Sequence, residues 1–105
     1  VKVYCEHRDG ELWVKPIGTL DAAGARALRL RTEELDLGDD TTVAVDLSDV
    51  PFIDSSGLGV LIALAKRAAR SAGRLRLVQP GEQPLRLVKL TRLDRFFEIA
   101  TEHPA

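Results

Sequence analysis

The sequence predicts an α/β domain, a mixed β-sheet packed against α-helices, with elements in the order ββαβαβαβ. Three observations predict it. The chain opens with two strand-like segments joined by Asp9-Gly10, a strong hairpin-turn dipeptide. The short runs "TVAVDL" and "RLRLV" then alternate with Ala- and Leu-rich stretches of helical spacing, which is the pattern of parallel crossover units. Finally, 105 residues that are 45% apolar and 30% charged suit one domain over 1–105 with a single modest core.

Val1–Cys5 alternates apolar and polar residues and Leu12–Ile17 is rich in Val, Ile and Trp, so these form the hairpin, with Tyr4 and Trp13 as packing residues. Pro16 has no N–H for a ladder and belongs at a strand end or edge. In "DAAGARALRLRTEELDLGDD", Asp21 takes the N-cap position and Ala25, Leu28 and Leu35 share one helical face, with Gly38-Asp39-Asp40 as the stop. Leu30 lies off that face and Gly24 weakens the helix. Thr42–Leu47 reads as a buried central strand. From Ser56 to Ala72, Leu58, Leu61, Ile62, Ala65, Ala68 and Ala69 recur at helical spacing until Gly73. Arg74–Val78 alternates as a strand, Pro84–Leu93 is a third helix carrying Leu85, Val88 and Leu93, and Phe96–Ala100 is a last short strand.

Composition excludes several functions. A formal net charge of −1 lacks the basic field of a nucleic-acid binder, and Lys66, Arg67, Arg70, Arg74 and Arg76 read as a solvated face. The single Cys5 has no disulfide partner within the chain and reads as a small apolar strand residue, in a reduced, cytoplasmic setting. No ligand set for a metal is evident; Asp46 and Asp49 organise the exit from the central strand. The apolar stretch Gly57–Ala65 is too short to span a bilayer and no secretory signal appears, so no membrane association is expected.

The chemistry concentrates in "PFIDSSGLGVLIALAKRAAR", where Asp54-Ser55-Ser56-Gly57-Leu58-Gly59 joins a buried strand to a helix. Three readings compete. Asp54, Ser55 and Ser56 are all good N-caps. A helix start also offers free N–H groups and a positive dipole end that suit a phosphate on Ser55 or Ser56, while the glycines let a partner approach closely. A serine nucleophile fits poorly: Ile53 and Asp54 stand where the first glycine of Gly-x-Ser-x-Gly belongs, and His7 and His103 are remote in sequence. Gly57-Leu58-Gly59 is not a dinucleotide loop, since Ile62 holds the third glycine position. No catalytic residue is therefore assigned.

"VDLSDVPFIDSSGLGVLIALAKRAAR" closely resembles the signature of STAS-domain proteins, and among them the bacterial anti-sigma-factor antagonists. "IGTLDAAGARAL" is similar to the family's Gly-Glu-Leu-Asp segment, with Asp21 at the aspartate and Thr19 in place of the glutamate. The resemblance implies the STAS fold and a regulatory protein that is not an enzyme. Ser55 would be the phosphoacceptor for an anti-sigma-factor serine kinase. Asp21, Asp54, Ser56, Gly57, Leu58 and Gly59 would form the partner-binding surface, with Ser56 also as the cap. The unphosphorylated form would hold the anti-sigma factor and free a sigma factor. A PPM-type phosphatase would reverse the switch, and ATP and Mg²⁺ would belong to the kinase, so no cofactor of its own is implied. The alternative is a STAS scaffold or accessory domain of a stress-sensing complex or transporter, with the serines as a helix cap. Family members commonly add a fourth helix after the last strand. The sequence ends just after the last strand, so either it is cut there or this member lacks that helix; if it lacks it, part of the sheet face beside Phe96 and Phe97 would be exposed, with a dimer as the alternative to a monomer.

Overall fold

Asp9 and Gly10 both take positive φ, 52° and 77°, which gives the tight turn whose twist matches that of the flanking strands. They join β1 (Lys2–Arg8) to β2 (Glu11–Ile17) in an antiparallel register that closes with Arg8 opposite Glu11. The computed structural model describes residues 1–101. Beyond the hairpin it contains α1 (Ala22–Glu33), β3 (Thr42–Asp46), α2 (Ser55–Arg70), β4 (Arg74–Val78), α3 (Glu82–Leu90), a 3₁₀ turn (Leu93–Phe96) and β5 (Glu98–Ala100). The sheet order is β1-β2-β3-β4-β5, with β1 antiparallel to β2 and every later pairing parallel. The expected mixed α/β architecture is therefore the observed one.

Alternation along the strands builds the core. Leu12, Val14, Val43, Val45, Leu75 and Leu77 are all buried, and they share one cluster with Leu28 of α1, Leu58, Leu61 and Leu64 of α2, and Val88 of α3. The opposite face is polar. There Arg76 makes a two-pronged pair with Glu11 at 2.8 and 3.2 Å, and Trp13 lies beneath the Arg8 guanidinium, 4.1 Å from the ring centre. Pairing between β2 and β3 covers Glu11 to Val14, so Pro16 sits beyond it, where no N–H is required on that side.

Several boundaries differ from the sequence expectation. α1 ends at Glu33 rather than near Gly38, because Arg67 of α2 donates to the carbonyls of Thr32 and Leu35 and closes the helix from outside. Arg67 is thus a structural cap, and Arg74 and Arg76 are paired with Glu98 and Glu11, so the basic set is not one solvated face. α2 spans Ser55–Arg70 rather than Ser56–Ala72; Ala72 is left-handed at φ 59°. α3 begins two residues before Pro84 and stops at Leu90. There Thr91 Oγ1 donates back to Leu87 O, and Arg92 turns left-handed at φ 58°, so the helix does not continue. Leu93 and Phe96 therefore fall in the 3₁₀ turn, which shortens the last strand to Glu98–Ala100. Phe97 is buried and Phe96 half-buried, so among the described residues neither ring forms the exposed patch expected there.

Candidate functional site

β2 and β3 run parallel side by side, so both deliver their carboxyl ends to the same end of the sheet. Past the strands, Leu20 and Ile53 form an isolated parallel bridge: Leu20 N donates to Phe52 O at 2.9 Å and Asp54 N donates to Leu20 O at 3.2 Å. One residue further along each segment stand Asp21 and Asp54. Each starts a helix. Asp21 Oδ1 accepts from Gly24 N at 2.9 Å, and Asp54 Oδ1 accepts from Ser56 N at 2.8 Å and Gly57 N at 3.2 Å. Two carboxylates are thus held at two adjacent helix starts, the ends where the helix dipole favours negative charge.

This division of labour corrects the reading of Ser56 as the cap. Asp54 has extended backbone, φ −112° and ψ −169°, which aims its carboxylate at the amides of the first turn, whereas Ser55 and Ser56 are already helical. Both serines are exposed. The same geometry corrects the idea of an open phosphate seat, because the amides of Ser56 and Gly57 are already taken by Asp54. Gly57 and Leu58 are buried and shape the surface from beneath, while Ser56 and Gly59 lie on it. A Cβ at Gly57 would meet Leu20 O at 2.5 Å, so this glycine is required for α2 to pack against the Leu20 segment.

Sequence reasoning missed Gln83. Its side-chain amide accepts from Ile53 N and donates to Ile53 O, both at 2.9 Å, completing the outer side of a residue whose inner neighbours bond to Leu20. The loop before the serines is therefore held from both sides, and nothing local in the sequence announces a partner thirty residues away. Phe52 was also missed as a surface residue: it stands 45% exposed, two positions before Asp54. Asp46 behaves as expected, its Oδ1 accepting from Ser48 N at 2.9 Å in the turn that leaves the strand, whereas the Asp49 carboxylate makes an exposed ion pair with Lys15 of β2 at 3.2 Å.

His7 lies opposite Leu12 near the hairpin turn, at the other end of the sheet from Ser55, so it is no base for either serine; His103 lies outside the described residues. Among the described residues, no cluster of three or more His, Cys, Asp or Glu is placed to hold a metal ion, and no helix is long and apolar enough to cross a membrane.

Comparison with known proteins adds to this geometry. The family model for the STAS domain matches residues 2–104. The anti-sigma-B factor antagonist of Bacillus subtilis is 28% identical over 103 residues, covering 97% of this chain and 93% of that protein. A Thermotoga maritima protein described provisionally as an anti-sigma factor antagonist is 45% identical over 53 residues, 50% of this chain and 47% of the relative, so that match spans about half of each. The crystal structure of an anti-sigma factor antagonist from Mycobacterium paratuberculosis superposes with a TM-score of 0.83 at 28% identity, covering 96% of this chain and 86% of that one.

Proposed function

This chain belongs to the STAS domain family, and from that premise we propose that it is an anti-sigma-factor antagonist switched by phosphorylation of Ser55. In its unphosphorylated form it binds an anti-sigma serine kinase in the cytoplasm, which releases a sigma factor. The kinase, with its own ATP and Mg²⁺, then modifies Ser55, and a PPM-type phosphatase restores the binding form. The protein acts as substrate and ligand, with no catalysis of its own.

One observation carries this reading: Asp54 caps α2, which leaves Ser55 exposed and free of any capping duty. The scaffold alternative gave the serines the role of cap, and that role is filled by the aspartate. Asp21, Asp54, Ser56 and Gly59 border Ser55 in the surface that meets the partner, and Gly57 and Leu58 support it from below.

Charge is sufficient for the switch. A phosphoserine adds about −1.5 to −2 charges at neutral pH. Against a negative group ~4 Å away, each unit pair costs about 4 kcal/mol at an effective dielectric near 20. Solvent screening that halves this leaves about 2 kcal/mol, more than the ~1.4 that changes affinity tenfold. Asp54 already occupies the Ser56 and Gly57 amides, which supports a phosphate on Ser55 facing the partner rather than the helix start.

The test is incubation with each candidate anti-sigma kinase of the same genome and ATP, followed by mass mapping. A phosphate on Ser55 that is lost in Ser55→Ala, and a Ser55→Asp variant that no longer binds the kinase, are expected. Phosphate confined to Ser56 would move the switch by one residue; no modification and no complex with any such kinase would refute the proposal.

A further inference from the structure

α1 and α2 do not close against each other along their whole length. Between them lies a groove of about 850 Å³, lined on α2 from Ser56 to Arg67 and on α1 from Ala22 to Glu33. Small residues form part of each wall, Ala22 and Ala25 on one side and Gly59 and Ala63 on the other, with Val60 and Leu64 adding apolar surface between them. Gly59 is the informative residue. A Cβ added there meets nothing within 4 Å, whereas Gly24 and Gly57 are each required by backbone that approaches within 2.5 Å or less. Glycine is among the weakest helix formers, so internal packing gives no reason for Gly59 inside α2. Its effect is to keep the groove wall flat.

The rim is charged and unbalanced. Arg26, Arg29 and Arg67 line the groove against a single acid, Glu33. Arg67 is committed to the carbonyls of Thr32 and Leu35, and Arg29 sits 3.7 Å from Glu33. Arg26 has no ion-pair partner among the described residues. The lined stretch of α2, eleven residues on from Ser56, corresponds to about 16 Å at the helical rise, three turns of a helix.

We propose that this groove seats a short amphipathic helix of the anti-sigma partner, with an apolar, small-residue face against Gly59 and Ala63 and an acidic side chain opposite Arg26. The proposal rests on the antagonist reading above and deepens it by naming the contact. A helix suits a channel between two helices whose walls allow close approach of a backbone. Acidic character follows from the rim. Because Ser56 stands at one end of the groove, a phosphate on neighbouring Ser55 adds negative charge just where an acidic helix enters, so occupancy and modification oppose each other.

The experiment measures affinity of the full chain for the kinase that modifies it, alongside the thermal midpoint of each variant. Ala63→Arg fills the exposed wall and Arg26→Glu reverses the rim; each is expected to weaken binding at least about tenfold with the midpoint little changed. Gly59→Ala separates stability from contact: its midpoint is expected to rise by roughly 3–5 °C while affinity falls. A photo-crosslinker at position 63 is expected to capture an acidic helical segment of the kinase. Wild-type affinity in Ala63→Arg and Arg26→Glu overturns the groove and leaves the antagonist reading intact. Crosslinking to a second copy of this chain overturns it in favour of self-association. A wild-type protein that binds no such kinase overturns both readings together.

Discussion

Removing the side chain of Gln83 is expected to loosen the serine loop from a distance. Gln83 supplies both hydrogen-bond partners of the Ile53 backbone, and Ile53 is fully buried. Gln83→Ala leaves one N–H and one C=O without their partners, at about 1–3 kcal/mol for each buried group. The two bonds are only partly buried, so water entering the vacated space brings the sum toward the lower end, about 2–3 kcal/mol. For a domain near this size that lowers the thermal midpoint by roughly 10–15 °C, a large part of a marginal stability. Gln83→Glu keeps the acceptor but sets an oxygen against Ile53 O, so at neutral pH it is expected not to rescue. Guanidinium unfolding gives the free energy, and amide exchange locates it: protection should fall first at Ile53 and Asp54. A Gln83→Ala midpoint within about 2 °C of wild type, with protection of Ile53 unchanged, would show that the side-chain clamp contributes nothing to holding the loop.

Gly57→Ala forces a Cβ to within 2.5 Å of Leu20 O and 2.7 Å of Leu20 Cβ, and is expected to cost several kcal/mol by calorimetry, roughly 2–4 on the scale of overpacking and strain. Arg76→Met leaves the largely covered Glu11 without its two-pronged partner, an expected loss of about 2 kcal/mol; Glu11→Gln added to it should recover part, which a double-mutant cycle reads. The Cys5 thiol is pushed up by burial, against an opposing pull from Arg31. Its alkylation is therefore expected to be slower than that of a free thiol at mildly alkaline pH. Because the folded value lies above the unfolded one, the associated stability is fully present below the ordinary thiol range near ~8.5 and is lost as pH rises through the folded value. In denaturation curves the gap between wild type and Cys5→Ala should be flat from about pH 6 to 8 and shrink at higher pH.

The elements that could be read from the sequence are those whose cause is local. Asp9-Gly10 is a pair that readily takes the positive φ a tight hairpin turn needs, and polar and apolar residues alternate from Arg74 to Leu77, so the hairpin turn and β4 are found where expected. The end of α1 is not local. Leu35 continues the apolar spacing, but the groups that terminate the helix belong to Arg67, thirty-five positions from Thr32. The same distinction runs through the site. "DSSGLG" marks a helix start and locates the exposed serines, yet three consecutive residues are each good caps on propensity alone. Only the backbone angles of Asp54 decide among them. Likewise the glycines look alike in sequence, and what separates them is their surroundings: Leu20 presses on Gly57, and open space faces Gly59.

Arg67 has a bearing on how fast this surface works. By reaching from α2 to the last carbonyls of α1 it pins the two helices at one end, and the Leu20–Ile53 bridge ties the segments that lead into them at the other. A channel fixed at both ends does not have to spread before it is entered. Association is then expected as a single kinetic phase, with a rate set by encounter and by the basic rim, slowing with added salt and showing no plateau at high partner concentration. Cutting the pin with Arg67→Ala should introduce a slower, salt-insensitive phase, as the helices come to sample arrangements that must be resolved before the partner is held.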